Sequence, residues 1–138
     1  MKKSISKRLA TVVRQRAKQR CEYCHAPQIL IGQAFHIEHI VPRSKGGQTA
    51  SDNLAFACSH CNFAKSDKTS APDPRMKRVV LLFNPRKDHW ETHFGWSNDG
   101  RRVKGRTAIG RATVDALDMN AEILRRARYY WRLLNLIP

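Results

Sequence analysis

The sequence is poor in acidic residues and has no long apolar run. Its 138 residues include 11 Asp and Glu against 26 Lys and Arg, so the formal net charge is +15. No stretch of about 18 apolar residues occurs, so we expect no membrane-spanning helix, and no apolar secretion signal follows the basic N-terminus. The positive charge favours a polyanionic partner, nucleic acid before an acidic membrane surface. We therefore expect a soluble, cytoplasmic protein without a membrane partner.

Cysteine is also scarce, and the four cysteines form two C-x-x-C pairs. Cys21 and Cys24 make the first pair, and Cys58 and Cys61 make the second after an interval of 33 residues. In a chain expected to remain in a reducing compartment, this pattern favours metal binding over disulfides. Four thiolates complete a tetrahedral zinc site and leave no open coordination position. We predict a structural zinc, with unmetallated buried cysteines as the alternative.

Between the two cysteine pairs lie several chemically distinctive pieces in a fixed order. The string FHIEHIVP at residues 35–42 precedes the basic, glycine-containing RSKGG, then Asn53, and finally CSHCNFAK at residues 58–65. Together with the first cysteine pair, these pieces resemble the HNH endonucleases, the ββα-metal (His-Me) finger nucleases. The resemblance covers roughly residues 15–70.

The resemblance implies a role for each matching residue. His39 would be the general base, which suits an imidazole that titrates near neutral pH. Glu38 and Asn62 would bind the catalytic divalent ion, and the amide of Asn53 would orient the histidine through its backbone. The family more often has Asp at the first ligand position and His at the last. Carboxylate and amide oxygens favour Mg²⁺ or Mn²⁺ over zinc at this ion.

Further basic residues are candidates for contact with nucleic acid. Arg43, Lys45, Lys65 and His36 lie close in sequence to the catalytic residues and are expected to position the phosphate backbone. Residues 1–20 carry eight Lys and Arg and no acid. This basic segment either contacts phosphates or forms a solvated helix face.

The predicted fold class is α+β, a ββα-metal finger stapled by zinc. The finger comprises a strand over 35–41, a loop over 42–50, a second strand over 54–57 and a helix over 62–68. An amphipathic helix with apolar residues at helical spacing precedes it and ends near Arg20. We expect one nuclease domain over 1–138, with its core at about 15–70 and a C-terminal extension at about 75–138.

The extension is predicted to contain a hairpin and two helices. Asn98-Asp99-Gly100 is a hairpin turn signal, and Thr107 and Asn120 are candidate helix N-caps. The last helix should bury a stripe formed by Ile123, Leu124, Ala127, Tyr130, Trp131 and Leu134. Its arginines, Arg125, Arg126, Arg128 and Arg132, should flank that stripe.

These features favour a metal-dependent endonuclease that hydrolyses DNA phosphodiester bonds, with one divalent ion stabilising the phosphorane and the leaving 3′ oxygen. By family analogy the products carry 5′-phosphate and 3′-hydroxyl ends. Double-stranded DNA is the expected partner, RNA is an alternative substrate, and the protein would act as a monomer or homodimer. The competing interpretation is a zinc-stapled DNA- or RNA-binding module without catalysis, which would share the cysteines and the charge but would not need Glu38, His39 and Asn62 together.

Overall fold

The computed structural model describes residues 5–136, and the chain divides into two compact units, one ending at Lys68 and the other beginning at Thr69. The first unit contains α1 (Lys7–Arg16), α2 (Gln28–Ile31), β1 (His36–His39), β2 (Leu54–Ala57) and α3 (Ser59–Lys65). The second contains β3 (Ser70–Pro72), β4 (Val79–Leu81), α4 (Trp90–His93), β5 (Phe94–Trp96), β6 (Val103–Gly105), α5 (Ala108–Ala116) and α6 (Glu122–Leu133). Over residues 5–136, no helix combines the length and apolarity needed to cross a membrane.

The first unit contains the predicted ββα arrangement, which confirms the α+β fold class. Strands β1 and β2 pair antiparallel, with His36 opposite Ala57 and His39 opposite Leu54. All four residues of β2 are buried. Helix α3 begins at Ser59, three residues before the predicted start, because the Cys58 sulfur accepts the backbone N–H of Cys61 and caps the helix.

Strand β1 ends at His39 although the apolar pattern predicts a strand through Val41. The side chain of Asn53 forms hydrogen bonds with both backbone polar groups of Val41. It accepts from the N–H at 2.9 Å and donates to the carbonyl at 3.0 Å. Those groups are therefore unavailable to a neighbouring strand. A side-chain clamp therefore replaces the strand ladder at Val41, two residues after His39.

Helix α1 is amphipathic, as the sequence predicts, but it ends at Arg16 rather than near Arg20. Lys18 and Gln19 have positive φ angles of 55° and 61°, which no α-helix accommodates. The guanidinium of Arg16 donates to the carbonyls of Ser51 (2.7 Å) and Leu54 (2.6 Å). Arg16 thus anchors α1 to the start of β2 and does not belong to a free cationic face.

The second unit contains the predicted hairpin and the predicted cap of α5. Strands β5 and β6 pair antiparallel across the turn at Asn98-Asp99-Gly100, and the Thr107 hydroxyl accepts the N–H of Gly110 at 3.0 Å. The sequence did not predict the pairing of β3 with β4 or the short helix α4.

The prediction for α6 is wrong in two respects. Ala121, and not Asn120, is the N-cap residue, because the Asn120 side chain clamps both backbone groups of Val103. Of the predicted stripe, Leu124 and Trp131 are buried, whereas Ile123, Tyr130 and Leu134 are exposed.

Arg128, expected at the flank of α6, is fully buried. Its guanidinium donates to the carbonyls of Arg101 at 2.9 Å and Met119 at 2.6 Å, and it also lies over the rings of Trp96 and Trp131. These carbonyls and aromatic rings offset the cost of burying the guanidinium charge. Arg128 can therefore lie on the buried face of α6, where the apolar pattern predicts only apolar residues.

Candidate active site and metal centre

The four cysteines converge in the first unit, as the sequence predicts. All four are buried, and their sulfur atoms lie within 4.8 Å of one another. The Cys24 and Cys58 sulfurs are 3.7 Å apart. This separation is far longer than a disulfide bond, and it agrees with the roughly 3.8 Å between sulfurs that tetrahedral zinc with bonds of about 2.3 Å requires. The quartet therefore fits a structural metal such as zinc.

The electrostatics of the quartet differ from one cysteine to another. Hydrogen bonds from the thiols of Cys21, Cys24 and Cys61 hold the pKa of the Cys58 thiol far below its ordinary value, whereas hydrogen bonds within the quartet, together with burial, raise the pKa values of Cys24 and Cys61. Thiolate is the form that binds metal, so a bound cation would be needed to hold all four sulfurs deprotonated. Within residues 5–136, no other group of three or more His, Cys, Asp or Glu side chains converges in this way.

A cavity of about 730 Å³ lies next to β1 and α3 in the first unit. Five of the predicted site residues line it: His36, Glu38, His39, Arg43 and Asn62. Adjacent strand residues normally point to opposite faces, yet Glu38 and His39, the last two residues of β1, both line this cavity. Asn53, Lys45 and Lys65 do not line it.

His39 is partly buried, and one ring nitrogen is fixed. Its Nε2 lies 2.9 Å from the Thr49 hydroxyl oxygen. Partial burial, and secondarily the positive charge of Arg43, lower the pKa of His39 below its ordinary value of 6.5. The neutral imidazole therefore predominates at neutral pH, which is the form that can accept a proton.

Glu38 lies at the buried side of the cavity with both carboxylate oxygens engaged. The Tyr23 hydroxyl donates to Oε1, and the Lys65 ammonium donates to Oε2 at 3.1 Å. Burial raises the pKa of Glu38, and the Lys65 charge together with the Tyr23 and Lys65 hydrogen bonds opposes that rise.

The donor set at the cavity fits a hard divalent cation. A carboxylate offers about four lone-pair sites, so the two donors leave Glu38 further acceptor capacity. Asn62, half-buried on α3, offers a neutral amide oxygen on the same cavity. Mg²⁺ and Mn²⁺ prefer such oxygen ligands.

Asn53 acts on the segment that follows His39. In addition to its two bonds with Val41, its side-chain amide donates to the carbonyl of Gln48 at 2.9 Å. Gly47 lies inside this clamp, where an added Cβ would be 1.7 Å from the Val41 carbonyl oxygen. The loop after the strand is therefore fixed by one amide side chain and by a glycine with no room for a side chain.

Three of the residues expected to contact nucleic acid are exposed, and one is not. His36, Arg43 and Lys45 are exposed. His36 Nε2 lies 3.1 Å from the Ser59 hydroxyl, and the Lys45 ammonium donates to the carbonyl of Asp67 at 2.9 Å. Lys65 is only 1 % exposed and donates to the Ile40 carbonyl at 3.0 Å in addition to Glu38. Its ammonium is therefore directed into the protein and away from the surface where a phosphate would lie.

Sequence reasoning missed two residues of this site. Tyr23 reaches Glu38 from inside the first C-x-x-C turn, and Thr49 reaches His39 from the loop. Sequence periodicity could not reveal either residue, because each contact joins positions at least ten residues apart in the chain.

Comparison with known families adds an independent finding. Residues 21–68 match the HNH endonuclease family model. The matched segment begins at the first cysteine of the quartet and ends beyond α3, so it contains the cysteine quartet and the five predicted site residues that line the cavity. The match confirms the HNH resemblance and indicates a nuclease in general. Searches of curated proteins and of solved structures each gave no match.

Proposed function

We propose that the protein is a metal-dependent HNH endonuclease that hydrolyses DNA phosphodiester bonds. The observation that carries this proposal is the meeting of His39, Glu38 and Asn62 at one cavity with Arg43 beside them. A nucleic-acid-binding module needs a basic surface, but it does not need a neutral histidine next to a buried carboxylate and an amide. Residues 1–138 are proposed to act as one nuclease domain, with the second unit as its C-terminal extension.

His39 serves as the general base. A water molecule beside it would give a proton to the imidazole as its oxygen attacks the phosphorus. The hydroxyl of Thr49 fixes the ring at Nε2, and the Asn53 clamp fixes the backbone two residues further on. General-base catalysis of this kind contributes about a hundred- to ten-thousandfold in rate.

Glu38 and Asn62 are the proposed ligands of the catalytic Mg²⁺ or Mn²⁺. When bound there, the ion stabilises negative charge on the phosphorane and on the leaving 3′ oxygen. Glu38 contributes the negative charge that attracts a cation, and the neutral amide of Asn62 adds a second oxygen. Cleavage of the bond to the 3′ oxygen leaves 5′-phosphate and 3′-hydroxyl ends.

The basic residues supply the affinity for double-stranded DNA. Arg43 is exposed and lines the cavity, Lys45 is exposed in the following turn, and His36 is exposed at the start of β1. With a net charge of +15, binding should depend mainly on counterion release. If the protein makes about six phosphate contacts, its affinity should fall roughly a thousandfold as the salt concentration rises from 50 to 200 mM.

The test is conversion of supercoiled plasmid by the zinc-loaded protein with Mg²⁺, Mn²⁺ or EDTA, and with an RNA substrate in parallel. We expect nicked or linear DNA with either ion, none with EDTA, and steeply salt-dependent binding. Binding of DNA without cleavage under any of these conditions would refute the nuclease and favour the zinc-stapled binding module. Cleavage of RNA alone would refute the assignment of DNA as the substrate.

A further inference from the structure

Tyr23 connects the cysteine quartet to the cavity. It lies between Cys21 and Cys24 in the first C-x-x-C turn, and its side chain is completely buried. Its hydroxyl donates to Oε1 of Glu38. The turn that supplies two of the four thiols thus also supplies a hydrogen-bond donor to the proposed ligand of the catalytic ion.

The second cysteine pair supports the same carboxylate from the other side. Cys58 caps α3, and that helix carries Asn62 and, three residues later, Lys65. The Lys65 ammonium donates to Oε2 of Glu38 at 3.1 Å and to the carbonyl of Ile40 at 3.0 Å. The metal quartet holds the two turns together, and so it also holds the spacing between the two donors.

A carboxylate held by two donors has a fixed orientation. A free Glu side chain has three rotatable bonds, and its extra methylene relative to Asp increases the number of positions its carboxylate can reach. Groups that hydrogen-bond to metal ligands orient them, and their loss typically costs 10- to 100-fold in metal affinity or activity. The orientation of the Glu38 carboxylate should therefore depend more on these two hydrogen bonds than that of a shorter Asp side chain would.

We propose that Tyr23 is a positioning residue that orients the Glu38 carboxylate for the catalytic ion and thereby connects the cysteine quartet to the active site. This inference rests on the proposed function, because it takes Glu38 as the ligand of that ion. Lys65 is the second support of the carboxylate, and its bond to the Ile40 carbonyl also holds the backbone beside His39.

The test compares Tyr23→Phe with Tyr130→Phe, the same substitution at an exposed tyrosine of the second unit. Both are made in a His39→Ala background, which removes the base, and the zinc-loaded proteins are titrated with Mn²⁺ without DNA. Electron paramagnetic resonance of free Mn²⁺ gives the affinity. We expect Tyr23→Phe to bind Mn²⁺ about 10- to 100-fold more weakly, with the zinc content of the parent and a thermal unfolding midpoint lowered by no more than the loss of one buried hydrogen bond explains. Tyr130→Phe should match the parent throughout.

A second arm uses the same Tyr→Phe pair in the cleaving protein. Tyr23→Phe should raise the Mn²⁺ concentration for half-maximal cleavage by the same factor and leave the affinity for DNA unchanged. A Glu38→Gln variant should weaken Mn²⁺ binding at least as much as Tyr23→Phe, because Tyr23 acts through Glu38.

The outcomes separate this inference from the proposed function. Unchanged Mn²⁺ affinity in Tyr23→Phe, loss of zinc from that variant, or normal Mn²⁺ binding by Glu38→Gln would each overturn the positioning role. If the His39→Ala parent binds no Mn²⁺ and the wild type does not cleave, the proposed ion site fails, and the positioning role fails with it.

Discussion

Replacement of Asn53 by alanine separates the role of this residue in folding from its role in positioning. Its side chain makes three hydrogen bonds, two with the backbone of Val41 and one with the carbonyl of Gln48, all between 2.9 and 3.0 Å. Each such bond contributes about 1 kcal/mol to stability. We expect Asn53→Ala to lower the free energy of unfolding by about 3 kcal/mol in urea denaturation of the zinc-loaded protein.

The same change should reduce cleavage beyond this loss of stability. The clamp fixes the chain two residues after His39, and a displacement of about 1 Å at a catalytic group can cost a hundredfold in rate. We therefore expect the cleavage rate per folded molecule to fall by about a hundredfold, measured with supercoiled plasmid under conditions where the variant is folded.

The chain contains its own control for this experiment. Asn120 clamps the two backbone groups of Val103 and accepts a third bond from Arg128 at 3.2 Å, entirely within the second unit. Asn120→Ala should cost a similar free energy and leave the rate per folded molecule unchanged. Equal losses of activity in the two variants would show that stability alone explains the effect, and the positioning argument would be refuted.

Three further predictions concern the metal centre, the loop and the second unit. Cys58→Ser should lose zinc and unfold the first unit, measured by metal analysis and circular dichroism, and a stable zinc-free variant would contradict a structural metal. Gly47→Ala should be severely destabilising because its Cβ would be 1.7 Å from the backbone carbonyl oxygen of Val41. Gly46→Ala has open space around its Cβ but a φ of 88°, so it should lower the free energy of unfolding by only about 1–2 kcal/mol. Equal losses of stability in the two variants would refute the steric argument. Two hydrogen bonds from Arg111 hold the pKa of Asp73 well below its ordinary value, so this pair stabilises the second unit above pH about 4 and its contribution is lost as the pH falls further. Asp73→Asn should therefore lower the unfolding midpoint more at pH 7 than at pH 2. Tryptophan fluorescence can follow this because all three tryptophans lie in that unit; an equal effect at both values would contradict the ion pair.

The parts of the structure that could be predicted from the sequence are those encoded locally. The C-x-x-C spacing fixes where two sulfurs point, so the quartet could be predicted without a fold. The Asn-Asp-Gly turn signals its hairpin in the same way, and Thr107 precedes its helix at the position a cap requires. Each of these signals operates over a few residues, so no tertiary contact is needed to interpret it.

The parts that could not be predicted depend on partners distant in the chain. Lys65 and Arg128 are buried although charged residues are rarely buried, because carboxylate and carbonyl acceptors far away in sequence satisfy them. Strand β1 is shorter than its apolar pattern because Asn53, twelve residues beyond Val41, takes the hydrogen bonds of the next strand position. Tyr23 and Glu38 are 15 residues apart in sequence and meet only through the tertiary structure.

The measurement that tests the central claim most directly is plasmid cleavage by His39→Ala beside the wild type, both zinc-loaded and supplied with Mn²⁺. His89→Ala, which removes an exposed histidine of the second unit, is the matched control. We predict that His39→Ala keeps its fold, zinc content and DNA affinity but cleaves about a hundred- to ten-thousandfold more slowly, while His89→Ala cleaves like the wild type. Undiminished cleavage by His39→Ala would contradict the assignment of the general base and the active site built around it.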